Sequence, residues 1–278
     1  MRRALVALLV VLAGCSAFAP GTDRPTVTSA PVPTDSGLAP GVEPNGMTDA
    51  AALAGAHAAT LGNSSYTLVT NRTVRAANGS LRSVLTVRLA LSAGPSRDYH
   101  ARVSVDGPAA PLVTGEPPER AEYWANDEVY LRRRIVDDRT MYSRYDDTDA
   151  YVGTWSFWLG TAALDLGPEA EVRSTLEEFE TRVADDSRDR DRDRVHLVGT
   201  AAGSDEFVDD PGEIERVENA TLHAFVAESG FVRSYHVVYD ATLDAGDRVR
   251  VRRSVRFERV GTTTVERPSW YDEAMERG

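Results

Sequence analysis

The 278-residue chain carries 43 acidic residues against 31 basic ones, all of them arginine, which gives a formal net charge of −12. This charge balance disfavours nucleic acid and other polyanions as partners, because the chain would repel them. Cys15 is the single cysteine, so no disulfide can form within the chain.

The absence of lysine is also informative about the salt concentration around the protein. An acidic, lysine-free chain resembles proteins of halophilic archaea, whose carboxylates keep a hydrated shell when concentrated salt screens charge over a few ångströms. A GC-rich genome that encodes arginine in place of lysine would produce the same composition, and the two causes can act together. We expect a halophilic archaeal protein whose fold needs high salt.

The first fifteen residues have the pattern of a secretory signal. Arg2 and Arg3 form a short cationic region, and the apolar residues 4–12 are too few to span a bilayer as a helix. Leu12-Ala13-Gly14-Cys15 resembles the lipobox of secreted lipoproteins, in which the peptide is cut before a cysteine that carries a lipid. The resemblance implies a signal peptide over 1–14 and lipidation of Cys15, and the alternative is an uncleaved anchor with a chance cysteine.

Lipidation at Cys15 would place the protein at the cell surface, on the outer face of the cytoplasmic membrane. The adjacent Arg2 and Arg3 also resemble a twin-arginine export signal, whose substrates cross the membrane already folded. The choice between the general secretory route and twin-arginine export stays open. Either route makes the membrane a partner of the protein through its lipid anchor.

Residues 15–47 differ in composition from the rest of the chain. Six prolines stand among threonine, serine, glycine and aspartate, and large apolar side chains are scarce. Such a segment favours an extended polyproline conformation and cannot bury a core. We predict a tether over 15–47 and a single globular domain over 48–278.

The periodicity of residues 48–278 predicts α+β architecture. Residues 50–61 are rich in alanine and follow the capping residues Thr48 and Asp49, as is typical of a helix. Residues 81–91 alternate apolar and polar side chains, as in a strand with one buried face. Similar segments joined by short turns predict about ten antiparallel strands, because consecutive strands with short connections must pair antiparallel.

Three further elements are predicted with less regular patterns. Aromatic residues at helical spacing indicate a helix over 151–166, and proline followed by acidic residues indicates the start of another over 168–183. A last short strand is expected over 262–265. The nearly alternating aspartate and arginine of 185–194 predict a solvated loop.

The chain as a whole resembles known families. The lipobox, the proline-rich tether, the alanine-rich helix and the ending Val265-Glu266-Arg267-Pro268-Ser269-Trp270 look like a family of haloarchaeal surface lipoproteins of unknown function. The element order is similar to that of LolA/LppX-type lipoprotein carriers, in which a strongly curved sheet wraps around helices like a half-barrel. This second resemblance implies an apolar hollow for lipid.

Four aromatic residues are the candidate ligand contacts, because a lipid-binding hollow needs large apolar side chains that face a gap. They are Trp124, Trp155, Phe157 and Trp158. The alternative is ordinary core, since an aromatic stripe at helical spacing usually packs against a sheet.

Asn63, Asn71, Asn78 and Asn219 each begin an Asn-x-Ser/Thr sequence, so export would make them candidate glycosylation sites. The first three lie within sixteen residues and predict an exposed, sugar-bearing edge. The acidic loop 205–213 has oxygen ligands suited to calcium, but its spacing is not that of an EF-hand. No metal site and no cofactor are predicted.

Catalytic motifs are missing from the sequence. It contains no Gly-x-Ser-x-Gly elbow, no glycine-rich phosphate loop and no His-Glu-x-x-His. We therefore expect a non-enzymatic protein that binds or carries a lipid or another apolar ligand, with no catalytic residue. The alternatives are an envelope scaffold or interaction module with a solid core and unidentified protein partners, and third a hydrolase whose scattered histidines or carboxylates converge in one cleft.

Overall fold

The structure is a computed structural model that describes residues 37–95, 97–113, 119–136, 139–146, 154–162, 167–184, 194–201 and 214–278. Its strands are β1 (Val42–Glu43), β2 (Gly46–Met47), β3 (Tyr66–Ala76), β4 (Leu81–Leu91), β5 (Tyr99–Asp106), β6 (Glu119–Ala125), β7 (Tyr130–Val136), β8 (Arg139–Tyr145), β9 (Glu180–Val183), β10 (Arg194–Ala201), β11 (Ile214–Ala227), β12 (Val232–Leu243) and β13 (Arg248–Glu258). Its helices are α1 (Ala50–Leu61), α2 (Trp155–Thr161), α3 (Gly167–Glu177) and α4 (Tyr271–Arg277).

Strands β3 to β13 form one antiparallel sheet with the order β8-β7-β6-β5-β4-β3-β13-β12-β11-β10-β9. Two series of hairpins meet where β3 pairs with β13, with Val74 opposite Val251. In the described part of the chain, β8 and β9 end the sheet and do not pair with each other, so the sheet stays open. The predicted α+β class, with a curved antiparallel sheet packed on a few helices, is confirmed.

One face of the sheet, the inner face, packs against α1, α2 and α3. Alternate residues of each strand point to this face, as in β13, where Val249, Val251 and Val255 are buried and the intervening arginines point outward. The resulting core extends across the sheet from β6 to β9 and includes buried residues of all three helices. Burial of one apolar face across so many strands is the main stabilising term of the fold.

The opposite, outer face carries the C-terminal residues. Trp270 and Ala274 pack there against Trp124 and Leu131 of β6 and β7, in a second and smaller core. The indole Nε1 of Trp270 donates to Glu122 Oε2 at 3.0 Å. Among the described helices, α4 included, none has the length and hydropathy needed to cross a membrane.

The predicted tether extends too far along the chain. Residues 42–43 and 46–47 form a short hairpin, and Val42 is buried in the main core. This hairpin packs on the edge strand β9, where Met47 N donates to Thr181 Oγ1 at 2.9 Å. Because of this burial and this hydrogen bond, residues 37–47 belong to the globular domain. The hairpin also covers the edge of β9, and a covered edge cannot pair with another chain.

Three of the predicted elements differ from the structure. The helix predicted over 168–183 ends at Glu177, because the β-branched Thr181 and Val183 continue as β9 at the sheet edge. The strand expected over 262–265 is not formed, and those residues run as an irregular segment. Of the helix predicted over 151–166, α2 forms the central part, while 151–153 and 163–166 lie outside the described residues.

Candidate functional site

A cavity of about 190 Å³ lies on the inner face. Its walls come from the ends of five strands and from the loop after β5: Arg72, Val74, Arg82, Ser83, Ala109, Ala110, Pro111, Ile214, Leu243, Val249 and Val251. Most of these side chains are apolar. The described geometry therefore provides a small hollow whose wall combines apolar side chains with two guanidinium groups.

The position of the cavity follows from where the helices lie. In α1, His57 stacks on Phe231 and meets the edge of Phe257, which places this helix over the end of the sheet where β12 begins and β13 ends. The cavity lies at the opposite end, beside the β3–β4 and β12–β13 turns. Inward valines at that end, such as Val249, face space that α1 does not fill.

The loop that follows β5 forms one wall of the cavity. Gly107 has φ +111°, and a Cβ at this position would lie 2.4 Å from the carbonyl oxygen of Arg82. Ala109 N donates to the same oxygen at 2.9 Å. A glycine is therefore required for the loop to approach β4 this closely, and the loop places Ala110 and Pro111 in the cavity wall.

Charged groups surround the apolar wall. Arg82 at the rim pairs with Asp247 of the β12–β13 turn at 3.0 Å. Deeper on the inner face, Arg253 of β13 pairs with Glu171 of α3 at 2.6 Å, and both side chains are buried. Arg72 lies opposite Arg253 in the sheet register and lines the cavity. Cationic groups thus lie between the helices and the apolar hollow.

The volume limits what the cavity can hold. An engineered protein cavity of about 150 Å³ with an apolar lining stays dry and binds benzene, whereas pockets for drug-sized ligands begin at about 300 Å³. The cavity of about 190 Å³ falls between these limits. It suits one small apolar group or the end of a longer chain.

The four aromatic residues predicted to contact a ligand do not form one group, although the rings of Phe157 and Trp158 lie 4.9 Å apart. Trp158 is 1% exposed and packs in the main core, with its ring 4.3 Å from that of Tyr123. Trp124 is the next residue along β6 from Tyr123, so it points to the outer face and contacts Tyr271 there. None of the four lines the cavity.

The other two candidates lie on α2. Trp155 is partly buried beneath the guanidinium of Arg97, at 5.3 Å from its ring centroid. Phe157 is 54% exposed, because it occupies the solvent side of the helix. The alternative interpretation, ordinary core, describes Trp158 and Trp124.

The sequons are spread over the sheet instead of forming one edge. Asn63 precedes β3 and Asn78 follows it, so the two lie at opposite ends of a central strand, and both are exposed. Asn71 lies in the middle of β3, where its amide donates to Thr86 Oγ1 at 2.9 Å. Asn219 is exposed, has φ +55° and donates to Asp240 at 3.1 Å. Glycosylation of these residues stays a prediction.

Some of the histidines do approach each other. On the outer face, His196 Nε2 lies 3.1 Å from His223 Nδ1, and His223 is opposite His236 in the register of β11 and β12. In the described ranges, no group of three or more histidine, cysteine or acidic residues is arranged to hold a metal ion. Arg2, Arg3, Cys15 and the acidic loop 205–213 lie outside the described residues.

The profile of a family of unknown function, DUF7537, matches the chain over residues 2–274. The chain belongs to this family. The match spans the predicted signal, the tether and the sheet. No curated protein matches the DUF7537 chain.

Solved structures resemble the DUF7537 chain weakly. A DUF1329 family protein from Desulfovibrio piger is 9% identical, with a TM-score of 0.27 and coverage of 82% of this chain and 98% of that one. A putative outer membrane lipoprotein-sorting protein domain from Vibrio parahaemolyticus is 8% identical, with a TM-score of 0.24 and coverage of 83% and 100%. The β-barrel-like DUF1849 protein from Brucella abortus is 13% identical, with a TM-score of 0.18 and coverage of 70% and 97%. TM-scores this low support no inference about ligand or function.

The residues that line the cavity were not among the sequence candidates. Val74, Val249 and Val251 look like ordinary inward positions of alternating strands, and their role depends on which strands become neighbours. One signal was present in the sequence. In β13, Arg253 occupies a place in the alternation where valine or phenylalanine stands on either side, which indicates a charge on the inner face.

Proposed function

We propose that this protein binds an apolar ligand, non-covalently, in the cavity at the β3–β4 end of the sheet. The observation that supports the proposal is a hollow of about 190 Å³ on the inner face, in which eight of the eleven lining residues are apolar. Binding would gain about 0.8 kcal/mol for each methylene group removed from water. The volume admits part of a lipid, such as the end of an acyl or isoprenoid chain, and leaves the remainder outside.

The proposal is tested by extraction of the purified full-length protein with organic solvent, followed by mass spectrometry. We expect a stoichiometric apolar compound in the wild-type extract. Val249→Phe enlarges a cavity-lining side chain and should remove the compound, whereas Val84→Phe makes the same change on the outer face of β4 and should retain it. An empty wild-type extract, or equal occupancy of both variants, would count against the cavity as the binding site.

We further propose that the protein is a surface lipoprotein anchored through Cys15. The residues that support this are the cationic, apolar and small-residue sequence that ends in the single cysteine. Cys15→Ser should move the protein from the membrane fraction to the soluble or secreted fraction, and should abolish labelling by a radioactive lipid precursor. Unchanged labelling and membrane association would show that Cys15 is not the anchor.

An envelope scaffold is the alternative function, and one observation favours it. Helices α1 to α3 fill most of the inner face, and the volume left is below that of pockets for drug-sized ligands. A scaffold would have no ligand in the extract and would yield a protein partner on cross-linking at the cell surface.

A further inference from the structure

A second hollow, a groove of about 400 Å³, lies on the outer face between strands β4 and β5 and the C-terminal segment 259–269. Four arginines and one histidine line it: Arg88, His100, Arg102, Arg259 and Arg267. Glu266 is the carboxylate in the same lining. The groove is thus lined by more cationic than anionic side chains, in a chain whose formal net charge is −12.

The segment that closes the groove is fixed to the sheet. Trp270 is buried and its Nε1 donates to Glu122 Oε2. The hydrogen bond from His100, together with that from Trp270 and the charge of Arg133, lowers the pKa of Glu122 to about 2 although burial opposes the shift. At the other end of the segment, Gly261 N donates to Ser65 O at 2.7 Å. The groove is therefore built before any ligand arrives.

The arginines of the groove differ in their partners. Arg88 pairs with Glu258 and Arg102 with Glu122, at 3.3 and 3.4 Å. In contrast, neither Arg259 nor Arg267 forms an ion pair with a carboxylate of the described chain. Arg259 donates to Thr67 Oγ1 at 3.1 Å, and Arg267 lies over the ring of Tyr271 at 4.6 Å. In the described structure, these two exposed guanidinium groups at the groove thus have no carboxylate within ion-pair distance.

The backbone of Arg259 is also unusual. Arg259 has φ +49°, a left-handed conformation that is uncommon for residues other than glycine. Thr263 Oγ1 donates to the carbonyl of Arg259 at 3.0 Å, which holds the strained turn. Strain of this kind is concentrated at binding and active sites, where it places a particular side chain. Arg259 is one of the residues that line the groove.

We propose that this groove binds a phosphate or sulfate ester through Arg259 and Arg267. Guanidinium groups bind such oxyanions with paired, charge-assisted hydrogen bonds. The carboxylates at the edge of the groove cannot make these bonds, because they have no hydrogen to donate. The volume exceeds that of a lone oxyanion, so the ester carries a polar group such as glycerol or a sugar. The ester can come from a lipid headgroup or from a soluble phosphorylated sugar.

The test is calorimetric titration of the full-length protein with two probes, glycerol 1-phosphate for a headgroup and glucose 6-phosphate for a sugar, with glycerol and glucose as neutral controls. We expect phosphate-dependent binding of at least one probe, and the tighter probe identifies the source. Arg259→Gln and Arg267→Gln should each weaken binding by roughly tenfold, the effect of one lost charged hydrogen bond.

Arg216→Gln is the matched control, since it removes the same charge from an exposed position on β11 outside the groove. It should leave the affinity unchanged. Circular dichroism of each variant confirms that the sheet is retained, and Arg267 is exposed, so its replacement does not disturb the core. Equal binding of phosphates and neutral controls, or equal loss in Arg216→Gln, would overturn the proposal.

Discussion

Replacement of Glu171 by glutamine should lower the free energy of unfolding by about 3–5 kcal/mol, the usual cost of removing one partner from a buried ion pair. Glu171 is 9% exposed and Arg253 4%, and the distance between Glu171 Oε1 and Arg253 Nη2 is 2.6 Å. Thr175 also donates to Glu171 Oε1 at 3.3 Å. The variant would leave a buried guanidinium without this carboxylate, and α3 would lose one polar link to the sheet.

The same helix offers a matched control. Glu177 pairs with Arg173 at 2.7 Å, but both side chains are about half exposed, and exposed pairs four residues apart contribute little to stability. Denaturant unfolding at one salt concentration should therefore separate Glu171→Gln from Glu177→Gln. The combined Glu171→Leu and Arg253→Met change should recover most of the loss, because it leaves no buried charge. Similar stability of the two single variants would contradict the role assigned to the buried pair.

The second large effect is expected at His57, through pH. Both ring nitrogens are buried without a hydrogen-bond partner in the described structure, between Phe231 and Phe257. Burial lowers the pKa of His57 from 6.5 to about 4. The native state therefore keeps the neutral ring in a pH range where the unfolded chain already binds a proton.

The direction of the effect follows from this difference in proton binding. Above pH 6.5 neither state is protonated at His57, and stability from this residue is fully present. As pH falls from 6.5 to 4, only the unfolded chain takes up the proton, so the free energy of unfolding falls by about 3 kcal/mol. This loss stops below the pKa of His57 in the native state. In His57→Phe this part of the pH dependence should disappear.

Unfolding by denaturant at pH 7.5 and at pH 4 measures the difference between wild type and His57→Phe, so that titration of other groups cancels. We expect the variant to be at least as stable as wild type at pH 7.5, since it removes two unsatisfied nitrogens from the core. At pH 4, the difference in free energy of unfolding between the variant and wild type should be larger by about 3 kcal/mol, in favour of the variant. An equal loss of stability in both proteins would show that His57 is protonated in the native state.

The sequence predicted what depends on local pattern. The alternation of residues 81–91 corresponds to β4, and the alanine-rich segment with its Asp49 cap corresponds to α1. Antiparallel pairing followed from the short turns between strands. These features depend on neighbours in the chain, which periodicity reports directly.

Features that depend on distant pairing were not predicted. Trp124 was grouped with Trp158, although its position beside Tyr123 in an alternating strand places it on the other face. The cavity needs β3, β11, β12 and β13 to be assembled in one order, and no local pattern contains that order. The hairpin at residues 42–47 has few apolar residues, and its place on β9 depends on Gly46, where a Cβ would lie 2.2 Å from Thr181 O.

Binding of an apolar ligand in the inner-face cavity is tested most directly by titrating the full-length protein with straight-chain alcohols of increasing length. Binding is observed through the NMR signals of the Val74, Val249 and Val251 methyl groups. We expect a gain of about fourfold in affinity for each added methylene, as about 0.8 kcal/mol requires, until the cavity of about 190 Å³ is filled and affinity levels off. Val249→Phe should shift that plateau to shorter chains, and Val84→Phe should not. Methyl signals that stay unchanged at every chain length would show that the cavity does not bind an apolar ligand.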